Sequence, residues 1–196
     1  MTIVRQVTIS LPPWVDDVLA RHPAPAGDEE RMRFVLDVAG EQVRQGTGGP
    51  FAAAVFSGAT GELLSVGMNL VVRSCAAIAH AEAVALALAG QRVGSYDLSG
   101  VPAVLLSTAE PCAMCLGAIP WAGVARLVCA ASDEDARAIG FDEGNKPANW
   151  VEGLERRGIE VTCGVLREEA VAVLRDYVAR GGPIYNGATP VPPADG

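Results

Sequence analysis

The sequence lacks the features that would direct the chain to a membrane or to a nucleic acid. No apolar stretch reaches the roughly 20 residues that span a bilayer, and no charged start followed by an apolar run resembles a secretory leader. Basic residues are scarce, with 15 lysines and arginines against 23 aspartates and glutamates, a net charge of −8. Because this charge has the sign of a phosphate backbone, polynucleotide substrates are disfavoured. We expect a cytoplasmic protein that acts on a small molecule.

Disulfides and domain linkers are not expected either. The five cysteines are an odd number, and 196 residues, half of them hydrophobic, can bury a core without covalent help. Metal ligands or free thiols suit this count better. No linker-like composition divides the middle of the chain, which predicts one domain over residues 28–187. Residues 1–27 are predicted to be a proline-rich N-terminal extension with little regular structure, and residues 188–196 a flexible C-terminal tail.

The hydrophobic pattern predicts an α/β domain built in three layers. Apolar residues recur at helical spacing from Asp28 to Gly46, and a hairpin of two strands follows. Alternating helices and strands then continue to the C-terminal region. The predicted strands cover residues 51–56, 63–70, 101–107, 125–130 and 159–165, and the predicted later helices begin at His80, near Pro111 and at Arg167. This order predicts a mixed, mostly parallel sheet with helices on both faces.

Two short motifs contain the ligands of a catalytic metal site. His80-Ala81-Glu82 offers one imidazole and one carboxylate, and Pro111-Cys112-Ala113-Met114-Cys115 offers two thiolates. The two cysteines are three residues apart, so on a helix their thiols lie on one face, about 60° from each other. One histidine, two cysteines and a glutamate that is not a ligand are the residues expected around a zinc ion with an open fourth position.

The first motif makes sense only at the start of a helix. His80 and Glu82 are two residues apart and would diverge in the middle of a helix, so they converge only where a helix begins and points end-on at the metal. The cysteine motif also stands at a predicted helix start. Since both helices follow predicted strands, we expect the two starts to meet at the same carboxyl edge of the sheet.

The residues alone leave two other interpretations open. A Cys-x-x-Cys sequence at a helix start after a strand is also the arrangement of thiol oxidoreductases, although His80 and Glu82 then have no role. A closed structural zinc site could recruit Cys75 as its fourth ligand, which would leave Glu82 an ordinary acid at a helix N-terminus. Metal analysis excludes the redox interpretation if each chain binds one zinc ion.

Beyond these motifs, the chain resembles the bacterial guanine deaminases of the zinc-dependent cytidine deaminase superfamily from about Pro12 to Asn186. The His-x-Glu and Pro-Cys-x-x-Cys motifs are specific for the superfamily, whose zinc nucleobase deaminases carry this signature. The guanine branch is indicated by Gly140-Phe141-Asp142-Glu143-Gly144. Further similar stretches are Gly49-Pro50-Phe51-Ala52-Ala53, Asn69, Pro147, Trp150 and Ile184-Tyr185-Asn186. The resemblance implies a cytidine deaminase-like three-layer α/β/α fold with a mixed five-stranded sheet of order 2-1-3-4-5.

The resemblance also implies a role for individual residues. It makes His80, Cys112 and Cys115 the zinc ligands, with a water molecule at the remaining position. It makes Glu82 the residue that moves protons from this water to a ring nitrogen and to the departing amine, and Glu143 a second catalytic acid at the amino edge of the base. The implied substrate-binding residues are Phe51, which stacks on the base, and Asn69, Ala81, Trp121, Asp142 and Tyr185. The implied reaction is hydrolysis of guanine to xanthine and ammonia, by a homodimer.

The chemistry of the base supports the second carboxylate independently. Guanine presents hydrogen-bond donors at N1 and at its 2-amino group, and an ionised Glu143 can accept a hydrogen bond from each. Cytosine and adenine instead place an acceptor nitrogen beside their amino group. Related aminopurines and aminotriazines such as ammeline show a similar edge. Three alternatives stay open: a tRNA adenosine deaminase, which the acidic charge opposes; a nucleoside or cytosine deaminase, which needs no acid at 143; and Asp142 and Glu143 as solvated loop acids.

Overall fold

A computed structural model describes residues 3–186 and contains one five-stranded sheet between two layers of helices. The strands are β1 (Ala52–Ser57), β2 (Leu63–Met68), β3 (Ala103–Ala109), β4 (Arg126–Ala131) and β5 (Glu160–Thr162). The helices are α1 (Val15–Arg21), α2 (Gly27–Gln45), α3 (Val71–Ser74), α4 (Ala81–Val93), α5 (Ala113–Trp121), α6 (Asp133–Ala138), α7 (Trp150–Glu155) and α8 (Arg167–Ala179).

The sheet order is β2-β1-β3-β4-β5, which confirms the predicted fold class. The β3–β4 and β4–β5 pairs are parallel, whereas β1 is antiparallel to both of its neighbours. The sheet is therefore mixed, as predicted, but not mostly parallel. The reason is that β2, the second strand of the hairpin, lies at the edge of the sheet. β1 therefore pairs with β2 on one side and with β3 on the other, and both of these pairs are antiparallel.

Helices cover both faces of the sheet. On one face, Ala52, Ala54 and Phe56 of β1 pack in a core with residues of α1, α2 and α8. On the other face, Ala53 and Val55 pack with residues of α4, α5 and α7. Every residue of β1 and of β3 is consequently buried, as expected for strands that are covered on both sides.

One edge of the sheet gathers the elements that carry the two motifs. Since β2 and β3 are both antiparallel to β1, their carboxyl ends lie beside the start of β1, where Ala52 faces Met68 and Ala53 faces Ser107. The chain leaves this edge into α4 after β2 and into α5 after β3. This arrangement confirms that the two helix starts meet at one carboxyl edge.

The N-terminal segment differs from the sequence-based expectation. Residues 15–21 form α1, and Val15 and Val18 are buried in the core. Pro12 and Pro13 immediately precede this helix, where proline is tolerated because the first turn needs no N–H donors. The predicted tail at 188–196 lies outside the described residues. Within residues 3–186, no helix is long and apolar enough to cross a membrane.

Candidate active site

The three predicted metal ligands converge at the N-termini of α4 and α5. His80 and Cys112 are the N-cap residues of the two helices, both with extended backbone, and Cys115 lies one turn into α5. Their ligating atoms all lie within 4.8 Å of one another, and Cys112 Sγ is 3.5 Å from His80 Nδ1. Tetrahedral zinc with Zn–S and Zn–N bonds of ordinary length separates a sulfur and a nitrogen ligand by about 3.6 Å. The donor types and their spacing fit zinc.

A fourth protein ligand is not found in the part of the chain that the structure describes. Cys75, the candidate for a closed structural site, is exposed, and its thiol lies 3.8 Å from the carbonyl oxygen of Val72. Among residues 3–186, His80, Cys112 and Cys115 are the only cluster of three or more potential ligands of this kind. The site therefore has the three protein ligands of a catalytic zinc site.

The two thiols of the site differ in acidity because they interact with each other. The hydrogen bond from Cys115 lowers the pKa of Cys112 to about 4, and the imidazole of His80 acts in the same direction. The same interaction with Cys112, together with burial, raises the pKa of Cys115. The thiolate form of Cys112 is therefore favoured. A divalent cation stabilises the second thiolate as well.

Glu82 lies beside these ligands and is not one of them. It is the second residue of α4 and is 6% exposed. Burial raises the pKa of its carboxyl group, and the negative charge of Cys112 raises it further. Glu82 is thus a buried acid next to the metal ligands, as expected for a residue that exchanges protons there.

A cavity of about 330 Å³ opens in front of the ligands and contains most of the predicted site. His80, Cys112 and Glu82 line its inner part, while Cys115 is fully buried behind them. The other predicted residues that line this cavity are Phe51, Asn69, Asp142, Glu143 and Tyr185. The structure therefore brings together residues from six separate parts of the chain.

Glu143 lies in the loop between α6 and α7 and faces the same cavity. It is 8% exposed, so it is not a solvated loop acid. Burial raises the pKa of Glu143 to about 8, and the negative charges of Cys112 and Glu82 contribute in the same direction. Its backbone carbonyl accepts a hydrogen bond of 2.9 Å from the amide of Ala113, the first residue of α5. The loop is thereby held against the helix that carries the cysteines.

Aromatic rings form one wall of the cavity. The ring of Phe141 packs edge-on against Phe51, with centroids 5.0 Å apart, and against Tyr185, with centroids 5.4 Å apart. The hydroxyl of Tyr185 is buried without a hydrogen-bond partner in residues 3–186. An apolar wall of aromatic rings suits a flat ligand.

The C-terminal segment of the same chain closes this side of the cavity. The side-chain oxygen of Asn186 accepts a hydrogen bond of 2.9 Å from the amide of Asp142, and its nitrogen donates one of 3.1 Å to the carbonyl of Gly140. Asn186 thus joins the loop that carries Glu143 to the segment that carries Tyr185.

Gln42 was not predicted as part of the site, but it supports the cavity residue Asn69 and the nearby backbone of Gly49. It is fully buried in α2, and its Nε2 donates hydrogen bonds of 2.8 Å to the carbonyl of Gly49 and 2.6 Å to that of Asn69. A signal was present in the sequence, because Gln42 follows Ala39 by three residues and so lies on the apolar face of the helix. Phe141 lies in the stretch at residues 140–144, but the sequence did not predict a role for it.

Two predicted substrate-binding residues do not line the cavity. Ala81 is fully buried in the first turn of α4, between two residues that do line it. Trp121 is 85% exposed and borders a separate surface groove between α4 and α5. Six residues along a helix rotate a side chain by about 240° and advance it by about 9 Å. For this geometric reason Trp121 points away from the side of α5 that holds Cys115.

Comparison with known proteins agrees with this geometry. Residues 25–131, more than half of the chain, match the family described as the cytidine and deoxycytidylate deaminase zinc-binding region. The chain is 37% identical over 115 residues to a guanine deaminase from Bacillus subtilis, covering 59% of this chain and 71% of that relative. It is 33% identical to a tRNA-specific adenosine deaminase from Haemophilus influenzae, covering 76% and 82% of the two chains.

The solved structures give a closer match. The guanine deaminase from Nitrosomonas europaea is similar with a TM-score of 0.83 and 44% identity, over 91% of this chain and 100% of that one. Structures of the same bacterial protein hold 8-azaguanine in a variant and 2,6-diaminopurine, with TM-scores of 0.84 and 0.82. With its zinc-ligand cluster and its five-stranded sheet, this chain belongs to the zinc-binding cytidine and deoxycytidylate deaminase family.

Proposed function

We propose that this protein hydrolyses guanine to xanthine and ammonia. The observation that carries the proposal is that two buried acids, Glu82 and Glu143, line the same small cavity as the zinc ligands. The Nitrosomonas relative that binds 8-azaguanine and 2,6-diaminopurine supports a purine substrate. A cavity of about 330 Å³ is at the small end of ligand pockets, which favours a free base over a larger substrate.

Glu82 is the residue that transfers protons. Zinc would supply Lewis-acid activation of a water molecule at the open position. Glu82 lies beside His80 without being a ligand, so its carboxyl group is free to accept a proton from the water and to deliver protons to the base and to the leaving amine. Burial raises the pKa of Glu82, which favours its protonated form as a proton donor to the base.

Glu143 recognises the amino edge of guanine. An ionised carboxylate can accept one hydrogen bond from N1 and one from the 2-amino group, because both of its oxygens are acceptors. In a protonated carboxyl group one oxygen carries a proton, so the two oxygens cannot both serve as acceptors in this way. Burial raises the pKa of Glu143 to about 8, but two donors of the bound base and a nearby divalent cation stabilise the ionised form. Guanine binding and ionisation of Glu143 therefore favour each other.

The cavity walls position the ring. Phe51 and Phe141 offer apolar surface for stacking, and the side chain of Asn69 offers a polar contact. Related aminopurines and aminotriazines such as ammeline have a similar donor edge, so they are proposed as secondary substrates.

A tRNA adenosine deaminase is the second candidate, since one relative from Haemophilus influenzae has that activity. The net charge of −8 opposes binding of a polynucleotide. In addition, Tyr185 and Asn186 of the C-terminal segment line the cavity that a tRNA base would have to enter. We therefore propose that the protein has no nucleic acid partner.

Ammonia release tests these alternatives directly. The zinc-loaded protein is assayed with guanine, guanosine, cytosine, adenine, isoguanine and ammeline, and separately with tRNA. We expect guanine to give the highest kcat/KM. Faster turnover of cytosine, guanosine or tRNA than of guanine would contradict the proposal. Metal analysis of the same sample should give one zinc ion per chain.

We further propose that the protein is a cytoplasmic homodimer whose deaminase domain spans residues 28–187, with α1 of the N-terminal extension packed into its core. Trp121 and Tyr96 are 85% and 88% exposed and border an apolar groove between α4 and α5. Covering such large rings with a second copy removes them from water. Light scattering should give twice the chain mass for the wild type and a smaller mass for Trp121→Glu. A monomeric wild type would contradict the homodimer.

A further inference from the structure

The loop that carries Glu143 has no regular secondary structure, yet it must hold an acid in a defined place. Residues 139–149 connect α6 to α7, and residues outside the loop donate hydrogen bonds to the carbonyls of Gly140, Glu143 and Gly144. The carbonyl of Glu143 accepts a hydrogen bond from Ala113, and that of Gly144 accepts one of 2.8 Å from Arg137. These bonds hold the backbone just before Lys146. The side chain of Lys146 adds further contacts.

Lys146 is almost completely enclosed by groups of opposite charge. Its side chain is 7% exposed, and its Nζ lies 2.9 Å from Glu110 Oε2 and 3.2 Å from Asp133 Oδ1. The ammonium group also lies 4.8 Å from the centroid of the Trp150 ring. Burial lowers the pKa of Lys146, but the two carboxylates outweigh this effect and raise it above the ordinary value. The buried ammonium is therefore charged and paired.

These contacts join three elements of the active-site edge. Glu110 follows β3, immediately precedes the cysteine motif and lines the cavity. Asp133 is the first residue of α6 and also pairs with Arg137. Lys146 thus connects the loop of Glu143 to the strand end before Cys112 and to the start of α6. It also draws the carboxylate of Glu110 toward itself.

The amino acid used at this position is unusual for this chain. Lys146 is the only lysine in the sequence, and all 14 other basic residues are arginines. A lysine presents a compact point charge, whereas arginine presents a wide planar fork. A site enclosed by two carboxylates and an indole ring suits the compact ammonium group.

We propose that Lys146 is a positioning residue for deamination, which holds the Glu143 loop at the cavity and keeps the Glu110 carboxylate away from the base. The proposal rests on the proposed function of the site. Lys146 does not touch the zinc ligands, and Phe51, Asn69 and Tyr185 are held by other elements. Because Glu143 contacts the base, loss of Lys146 should lower kcat and raise KM without changing zinc content.

The test compares Lys146→Met and Lys146→Arg with the wild type, using the base that the wild type turns over fastest. We expect Lys146→Met to lose about 10- to 100-fold in kcat and to raise KM, with zinc content unchanged. Lys146→Arg should recover Tm but only part of kcat. Arg167→Gln is the matched control. It removes an ion pair with Asp135, which lies in α6 as Asp133 does, and it should leave kcat unchanged.

Two results would overturn the proposal. One is Lys146→Met with the kcat of the wild type. The other is a loss of kcat that follows zinc content or Tm in the same proportion. The double variant Lys146→Met with Glu110→Gln tests whether the two residues act as a pair. If they do, the double variant should lose no more kcat than Lys146→Met alone.

A spectroscopic measurement separates this proposal from the proposed function. Protein labelled with ¹⁵N at lysine Nζ should give a single ammonium resonance, since there is one lysine, and Glu110→Gln should shift or broaden it. If the wild type releases no ammonia from any base, the proposed function fails while this resonance still reports the pairing. An unchanged resonance in Glu110→Gln would overturn the placement of Lys146 whatever the activity.

Discussion

Replacing Gly67 with alanine should impair catalysis although Gly67 contacts no substrate. Gly67 lies in β2 directly under the first turns of α4, the helix that begins after His80 and contains Glu82. A Cβ atom at position 67 would lie 2.8 Å from the Cβ of Ala85 and closer still to the backbone oxygen of Ala81 and the backbone nitrogen of Ala85. Backbone atoms cannot rotate away, so α4 and β2 must separate.

The size of this displacement follows from contact distances. Carbon atoms pack at 3.5–4.0 Å, so the start of α4 must move by about 1 Å. Overpacking of this kind costs about 1–3 kcal/mol in the free energy of unfolding, which lowers Tm by about 2–12 °C in a chain of this length. A shift of about 1 Å in catalytic groups can lower the rate by about 100-fold.

The assay measures ammonia release from guanine with saturating zinc, together with Tm. Gly117→Ala is the matched control, because Gly117 lies in α5, the other helix of the site, and no atom lies within 4 Å of its added Cβ. This control should keep full activity and gain up to about 1 kcal/mol of stability from helix propensity. If Gly67→Ala keeps both the kcat/KM and the Tm of the wild type, the tight packing of α4 on β2 does not position the site.

Three further variants test single groups. Glu82→Ala should retain zinc by metal analysis but lose about 100- to 10,000-fold or more in kcat, and a variant that keeps most of its rate would remove Glu82 from proton transfer. Glu143→Gln should depress guanine turnover far more than zinc content, whereas equal turnover would remove Glu143 from the mechanism. The hydrogen bond with Arg167 lowers the pKa of Asp135 from 3.8 to about 2, so its contribution to stability is complete above pH 3.8 and is lost as the pH falls to about 2. Asp135→Asn should therefore lower Tm near neutral pH, and the difference from the wild type should shrink on acidification; a constant difference down to pH 2 would contradict this ion-pair contribution.

Much of the fold could be predicted because hydrophobic periodicity is a local property. The predicted helix at 28–46 corresponds to α2, and each predicted strand overlaps an observed one. The strand order came from the resemblance to guanine deaminases and is confirmed. The short helices α1, α3, α6 and α7 were not predicted. They contain four to seven residues, which is too short for a helical period to stand out.

The sequence by itself determined the metal chemistry, since few residue types ligate zinc and His80, Cys112 and Cys115 stand in a pattern specific to one superfamily. The tertiary structure decided which remaining side chains share the cavity. It placed Trp121 on the surface, Gln42 under Asn69 and Lys146 between two carboxylates. The physical reason is that burial and pairing depend on how distant elements pack, whereas ligand type and helical spacing are properties of neighbouring residues.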